Sequence, residues 1–357
     1  QLDSEALSIL QAQGTGVSGV VRNAGKGVLG ADEVLELSQL VLMLLGRLGI
    51  AVEDNGSKAK QHRRRKMQTE DDADVGELKD EEEGPSQETV RYCLADVLGS
   101  AMVVNPEDVA RLVLPQLSGS LQHLLRKEGS AAEKGLALYV ADDIVDTLGE
   151  LSVPHWNSFM ESAVVAICHS APAVRQYAAS TAGHAAQHQA FAQIAPLAAR
   201  NLASVLLKHG ERHRKSRAVS SEAKLSALSV DACTRALGQV CEAQEAALGQ
   251  DAAQAWQLWL GSLPLRYDED EGQKAHAQLL ELVSKGNHAV TCTSALPQVL
   301  RILSDVYKTH FSNAYLDADI VANFRQADSQ VLSRMVLELP SRLQKKAAQI
   351  LKDGGRM

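Results

Sequence analysis

Apolar residues recur along this chain at intervals of three and four rather than two. Val90, Leu94, Val97 and Leu98 mark one helical face. Pro106-Glu-Asp opens a second helix that runs to about Lys127, with acids in its first turn. Leu136, Val140, Ile144 and Leu148 define a third, from about Ala131 to Leu148. The same spacing predicts helices from near Ser152-Val-Pro154 to Cys168, from Pro172 to about His188, and from Phe191 to Leu207. Further helices follow at about Ser220–Val240, Gln250–Leu260, Glu269–Val283, Leu296–Tyr307, Ala318–Phe324 and Gln330–Leu351, the last interrupted by Pro340. The most apolar stretch, Val34 to Val52, contains Glu36, Ser38, Gln39 and Arg47, so it reads as a buried helix and not as a membrane span. Gly14-Thr-Gly16 and Gly25-Lys-Gly27-Val-Leu-Gly30 read as turns between helices.

The helices come in pairs. The first member of each pair starts near Glu88, Ala131, Pro172, Ser220 and Glu269, at intervals of roughly 40 to 50 residues, the period of HEAT and armadillo arrays. At that period the chain holds at most about eight units. No alternating β-branched run bounded by hairpin turns breaks the pattern. The expected fold is all-α, a HEAT-repeat α-α superhelix: a right-handed solenoid of antiparallel helix pairs in which each unit touches only its neighbours. Four segments are expected. Residues 1–57 form partial N-terminal repeats, 58–87 a basic helix end followed by an acidic disordered loop, 88–317 the central repeats, and 318–357 capping C-terminal helices.

The stretch from Ser170 to Gly183 is the most specific. Pro172 suits a first helical turn, and Val174, Ala178 and Ala182 lie on one face, small enough for neighbouring helices to approach closely. Arg175 is placed to reach an acid or carbonyl of an adjacent unit, and Gly183 closes the pattern. This is the HEAT signature.

Charge sharpens the picture. The chain has 357 residues and a net charge of −8. Nine acids (Glu70, Asp71, Asp72, Asp74, Glu77, Asp80, Glu81, Glu82, Glu83) face a single Lys79 between Glu70 and Glu83, so this run carries the whole imbalance. A block this dense repels itself and lacks apolar anchors, which predicts a disordered loop. It follows the basic block Lys58, Lys60, Arg63, Arg64, Arg65 and Lys66. The pair reads either as a solvated, partly self-neutralising loop or as an acidic arm for basic protein partners. Direct nucleic-acid binding by the basic block is disfavoured, because the neighbouring acids cancel its field. Aromatic residues are only 4% of the chain, which favours helices packed through small residues. The five cysteines show no paired spacing, so a reducing compartment is expected. The chain opens on Gln1 rather than Met, as a fragment of a longer protein would.

Candidate chemistry is sparse. His184 and His188 sit four apart, but no His-Glu pair accompanies them, so no metal ligands and no cofactor are assigned. No GxSxG or P-loop occurs, and no cysteine has a nucleophile's context; no catalytic residue is assigned. Asp142 and Asp143 lie mid-helix, either on a solvated face or bonded to a neighbouring repeat. Trp256 and Trp259, three apart, either fill the core or form a platform for lysine and arginine stems. Asp268, Glu269, Asp270 and Glu271 sit in a turn just before a helix, where they favour its N-terminus or meet a basic partner.

Several segments in order resemble a known family: Gln61-His-Arg-Arg-Arg-Lys-Met-Gln-Thr-Glu-Asp-Asp, Ala141-Asp-Asp-Ile-Val-Asp-Thr-Leu-Gly149, the Ser170–Gly183 stretch, and Trp256-Gln-Leu-Trp259-Leu-Gly-Ser-Leu-Pro264-Leu-Arg-Tyr-Asp-Glu-Asp-Glu271. Their spacing is similar to the C-terminal third of the importin-beta (karyopherin-beta) superfamily, over about Ala31 to Gln298. The resemblance implies a nuclear transport receptor and no enzyme. Its partners would be basic cargo proteins such as ribosomal proteins and histones, Phe-Gly nucleoporins, and Ran-GTP through the full-length parent. Its location would be cytoplasm and nucleus, transiently at the pore, without membrane insertion. A HEAT scaffold of another complex, such as a phosphatase structural subunit or a translation regulator, is the alternative.

Overall fold

A computed structural model describes residues 4–50, 86–126, 129–215, 220–327 and 329–355. The basic block at 58–66 and the acidic run at 70–83 lie outside the described residues. Within them the chain is helical throughout, with short 3-10 and π turns and no strand. No described helix is long and apolar enough to cross a membrane. The chain divides into two compact units, Gln1–Phe159 and Met160–Met357, and the boundary falls inside the segment 88–317.

In the first unit, α1 (Ser4–Ala24), α3 (Gln87–Val104) and α5 (Ala131–Leu148) pack in sequence, α1 on α3 and α3 on α5. Their partners are α2 (Ala31–Ile50) and α4 (Leu114–Leu124), the latter entered through Pro106–Asp108 and a π turn at Val109–Val113. The local signals explain the starts. Ser86 accepts from the Thr89 amide, and Ser130 and Glu133 form a reciprocal capping box.

The second unit repeats the scheme. First helices are α7 (Pro172–Ala185), α9 (Ser221–Leu248), α11 (Glu269–Ser284) and α13 (Ala314–Gln326), each packed on the next. Second helices are α8 (Ala195–Lys215), α10 (Ala252–Ser262) and α12 (Leu296–Val306). The short α6 (Met160–Ala166) precedes α7, and α14 (Ser329–Glu338) and α15 (Ser341–Asp353) follow α13, separated at Pro340 as the sequence predicts. From α3 onward, every first-helix start falls within a few residues of its sequence-based position. In each unit, a first helix thus meets the first helix of its neighbour, the arrangement of stacked antiparallel pairs.

Small side chains form the seams between first helices. Ala178, Ala179, Ala182 and Ala185 of α7 and Ala232 and Ala236 of α9 are buried. Such residues lose no side-chain entropy and let backbones close in, so the helices gain dense contact without large aromatics. Gly238 of α9 shows how tight the fit is. A Cβ there would lie 2.4 Å from Nε1 and 2.7 Å from Cε2 of Trp259, and 2.9 Å from Oε1 of Gln278.

Three expectations change. Gly14 and Gly16 are inside α1, not in a turn; a Cβ on Gly14 would lie 3.4 Å from the Cys93 carbonyl oxygen, so Gly14 serves close packing on α3. The second glycine group is a turn, with Gly25 and Gly27 at positive φ. The helix expected from Ser152 is a 3-10 stretch over Gly149–Ser158, and α6 begins only at Met160. Pro154 lies inside that stretch, and Ser152 accepts from the buried Trp156 indole at 2.9 Å, anchoring a tighter coil. Finally, α7 ends at Ala185, so His188 lies past its last turn and shares no helical face with His184.

Gly238→Ala is expected to destabilise the second unit by about 2 kcal/mol, the cost of overpacking a filled interior. Gly261→Ala, where a Cβ would meet nothing within 4 Å, is expected to change stability by less than about 1 kcal/mol. Urea melts of the two variants check the contrast.

Candidate protein-binding surfaces

Between its first helices the first unit carries a polar seam. Ser18 of α1 and Ser100 of α3 share a hydrogen bond of 2.7 Å, and the Arg22 Nε donates to Ser100 at 2.9 Å. Tyr139 of α5 donates to the Asp96 carboxylate of α3. Asp143 of α5 lies directly over Gly99, where a Cβ would come within 2.7 Å of its Oδ2. Partial burial, then the charges of Asp142 and Asp96, push its carboxyl up to about 7, against the opposing pull of Arg22. Asp142 is half-buried beside it, and Asp146 is exposed one turn on. Asp142 and Asp143 thus belong to an acidic seam on the α1–α3–α5 side of the unit.

The second unit uses the sequence's most distinctive segment as a structural joint. Trp256 and Trp259 are buried at 3% and 0% exposure, edge to face with centroids 5.3 Å apart. They fill the core and present no face to a partner; α9, whose Gly238 lies against Trp259, packs on α10 together with α8 and α12. The chain then passes Leu263-Pro264-Leu265 and meets Asp231 of α9, which is fully buried. Its Oδ2 accepts from three successive amides, Arg266 at 3.2 Å, Tyr267 at 2.8 Å and Asp268 at 3.0 Å. One anionic oxygen at the focus of three N–H groups locks the loop's path. Asp268 then caps α11, accepting from the Glu271 amide at 3.1 Å. Glu269 and Asp270 are exposed in the first turn of α11, beside the positive end of its dipole.

His276 completes the joint. Its Nε2 accepts from the Leu265 amide at 3.3 Å, so its Nδ1–H is the group that donates to the Phe311 carbonyl at 3.0 Å. Burial holds this imidazole down at about 4, neutral and fixed in that tautomer. Farther along, Arg235 meets Glu271 at 3.7 Å and donates to Gln278 at 2.7 Å, and Gln278 donates to Glu242 at 2.7 Å. Gln244 donates to the Ala186 and His188 carbonyls at 2.6 and 3.1 Å, tying α9 to the end of α7.

The Ser170–Gly183 stretch follows the same logic. Pro172 occupies the first turn of α7, and Val174, Arg175, Ala178, Ala182 and Gly183 are all buried. Arg175 does reach the neighbouring repeat, but its target is a hydroxyl: Nη2 donates to Ser229 of α9 at 3.1 Å. Its carbonyl partners are those of its own preceding turn, His169 at 3.0 Å and Ser170 at 2.8 Å. Asp231, Arg235, Gln244 and His276 escaped the sequence reading; the signal available was a charged or polar residue inside an otherwise apolar helix face. Among the described residues no group of three or more histidines, cysteines or carboxylates could hold a metal ion. The five cysteines are free thiols, and burial pushes those of Cys233 and Cys241 far above the usual range.

No family model matches the chain, and no curated protein matches it by sequence. Solved structures do match by fold. The karyopherin Kap121p bound to RanGTP aligns with a TM-score of 0.62 at 13% identity, over 97% of this chain and 30% of that one. Kap121p bound to Pho4p aligns at 0.59 and 12% identity, over 96% and 28%. Kap121p bound to the SUMO protease Ulp1p aligns at 0.57 and 13%, over 97% and 30%. The fold is that of the karyopherin HEAT solenoid. This chain spans less than a third of the karyopherin's length, so the karyopherin fold here is that of a segment.

Two substitutions probe these seams. Asp231→Ala strands three loop amides and is expected to destabilise the second unit by at least about 3 kcal/mol, with Asp231→Asn intermediate; urea melts measure both. Asp143 titrates near 3.8 when unfolded and about 7 when folded, so between those values the folded state alone holds the proton. Stability therefore falls as pH rises from about 4 through 7. Asp143→Asn, which imitates the protonated form, is expected to raise the melting temperature at pH 8 and leave it nearly unchanged at pH 5.

Proposed function

We propose that this chain is part of a nuclear transport receptor of the importin-beta superfamily, one that binds basic cargo and is regulated by Ran-GTP in the full-length parent. The karyopherin fold over nearly the whole chain carries this reading. The sequence adds the segments that resemble the superfamily and the run Glu70–Glu83, nine acids against one lysine. The solved karyopherin structures hold RanGTP, Pho4p and Ulp1p, which supports cargo and Ran as partner classes.

The mechanism is capture without chemistry. The acidic run and the α5 carboxylates attract lysine- and arginine-rich surfaces such as those of ribosomal proteins and histones, raising encounter rates and orienting the partner. A partner cation placed on Asp143 ionises it, so binding through that face strengthens as pH rises from 6 to 8. Asp268, Glu269 and Asp270 offer a second acidic edge, secondary to their capping of α11. Weak contacts with Phe-Gly nucleoporins and shuttling between cytoplasm and nucleus complete the proposal.

Removing residues 70–83 tests it. The affinity of the chain for a purified basic ribosomal protein is expected to fall at least about tenfold at low ionic strength, with the difference shrinking as salt shortens the screening length. Unchanged affinity at low salt would reject the capture role.

A further inference from the structure

One surface serves neither the seams nor the acidic capture. Between α8 and α10, two second helices of adjacent repeats, lies a groove of about 960 Å³. From α8 it is lined at 196, 199–200, 203–204 and 207–208, from the end of α9 and the turn before α10 at 248 and 251, and from α10 at 254–255, 257–258 and 261, the 3.6-residue face of each helix. Its floor is small: Ala199, Ala203, Ala255 and Gly261 carry at most a methyl group, so the backbone of an incoming element can sit close to both helices. Leu207 stands 69% exposed at its edge.

The α8 rim carries two cations, Arg200 and Lys208. Both are exposed, and neither is hydrogen-bonded or ion-paired to a described side chain. They are eight residues apart, about 12 Å along the helix axis, or just over two turns. Across the groove, Asp251 on the α10 rim is the one acid among the lining residues. The polarity therefore runs crosswise: positive, apolar, then weakly negative. A helix matches this layout when it carries acids two turns apart along one edge and aliphatic residues on the adjoining stripe. An extended peptide would alternate its side chains between faces and offer no such edge. A solvated polyanion would satisfy the cations but leave Leu207 and the floor uncovered.

We propose that the α8–α10 groove is a docking site for an acidic amphipathic helix of a partner protein, with its carboxylates on Arg200 and Lys208 and its aliphatic stripe on Ala203, Leu207 and Leu258. The mode is a helix laid in an apolar groove, oriented by its charged edge. It stands independently of the basic-cargo reading, since it recruits a partner of opposite charge to a different surface.

Fluorescence anisotropy tests it on the whole chain with two synthetic helices of about 20 residues, long enough to be helical in water. Both carry the same leucine stripe; one has glutamates two turns apart along an edge, the other lysines. The glutamate helix is expected to bind at least about tenfold more tightly at low ionic strength. Arg200→Glu with Lys208→Glu should reverse that preference, and Leu207→Ala should weaken the glutamate helix about fivefold, the loss of one buried aliphatic side chain. These positions are exposed, and circular dichroism melts confirm that the variants fold. Should the double variant melt early, Arg200→Gln alone is expected to weaken the glutamate helix severalfold. Equal binding of both helices, no saturable binding of the glutamate helix, or binding indifferent to these substitutions would overturn the proposal. So would full competition by an RNA oligomer of equal charge with no effect of Leu207→Ala.

Discussion

The structure depends on how closely the first helices of successive repeats can approach. In each unit they meet through faces of alanine and glycine, and at that distance dispersion contacts accumulate over a narrow seam. The same closeness excludes water, so a polar group on the seam is costly unless it finds a partner there. Ser18, Arg22 and Ser100 do so in the first unit, and Arg175 with Ser229 and Gln244 with the Ala186 and His188 carbonyls do so in the second. Apolar closeness supplies the stability, and the polar bonds fix the register in which one repeat seats on the next.

This division of labour also places the loops. Asp231 is buried in the α9 face and gathers three amides of the segment after α10, so the entry to α11 is dictated from one repeat earlier. His276 repeats the device one step on, bridging the Leu265 amide and the Phe311 carbonyl. In the second unit α9 and α11 thus each position the next first helix, and contacts stay between neighbours, which is the physical meaning of a solenoid. A scaffold built this way leaves its second helices and loops available for partners.

Much of the fold was legible in the sequence. Period-3.6 apolar faces, first-turn acids and N-terminal prolines located most helices from α3 onward, because these signals are local. What failed was decided by tertiary contact. Gly14 reads as a turn until α3 is seen lying against it, and the stretch around Ser152 reads as α-helix until Trp156 and Pro154 impose a tighter coil. The candidate site was less legible. Acids at 142 and 143 announce charge, but the raised proton affinity of Asp143 comes first from burial over Gly99, then from Asp142 beside it and Asp96 on another helix. Trp256 and Trp259 read as a core pair sooner than as a platform, and their burial against α9 decides for the core. The α8–α10 groove left no motif at all, since its elements are alanines and two ordinary cations on helices fifty residues apart in the chain.

Native-state hydrogen exchange on a variant that widens one seam tests the central claim most directly. Ala182→Leu forces α7 and α9 apart at one point. If repeats communicate only through adjacent seams, amide protection falls in α7, α8 and α9 and is retained in α13 and α15. Uniform loss of protection across the second unit would contradict the account.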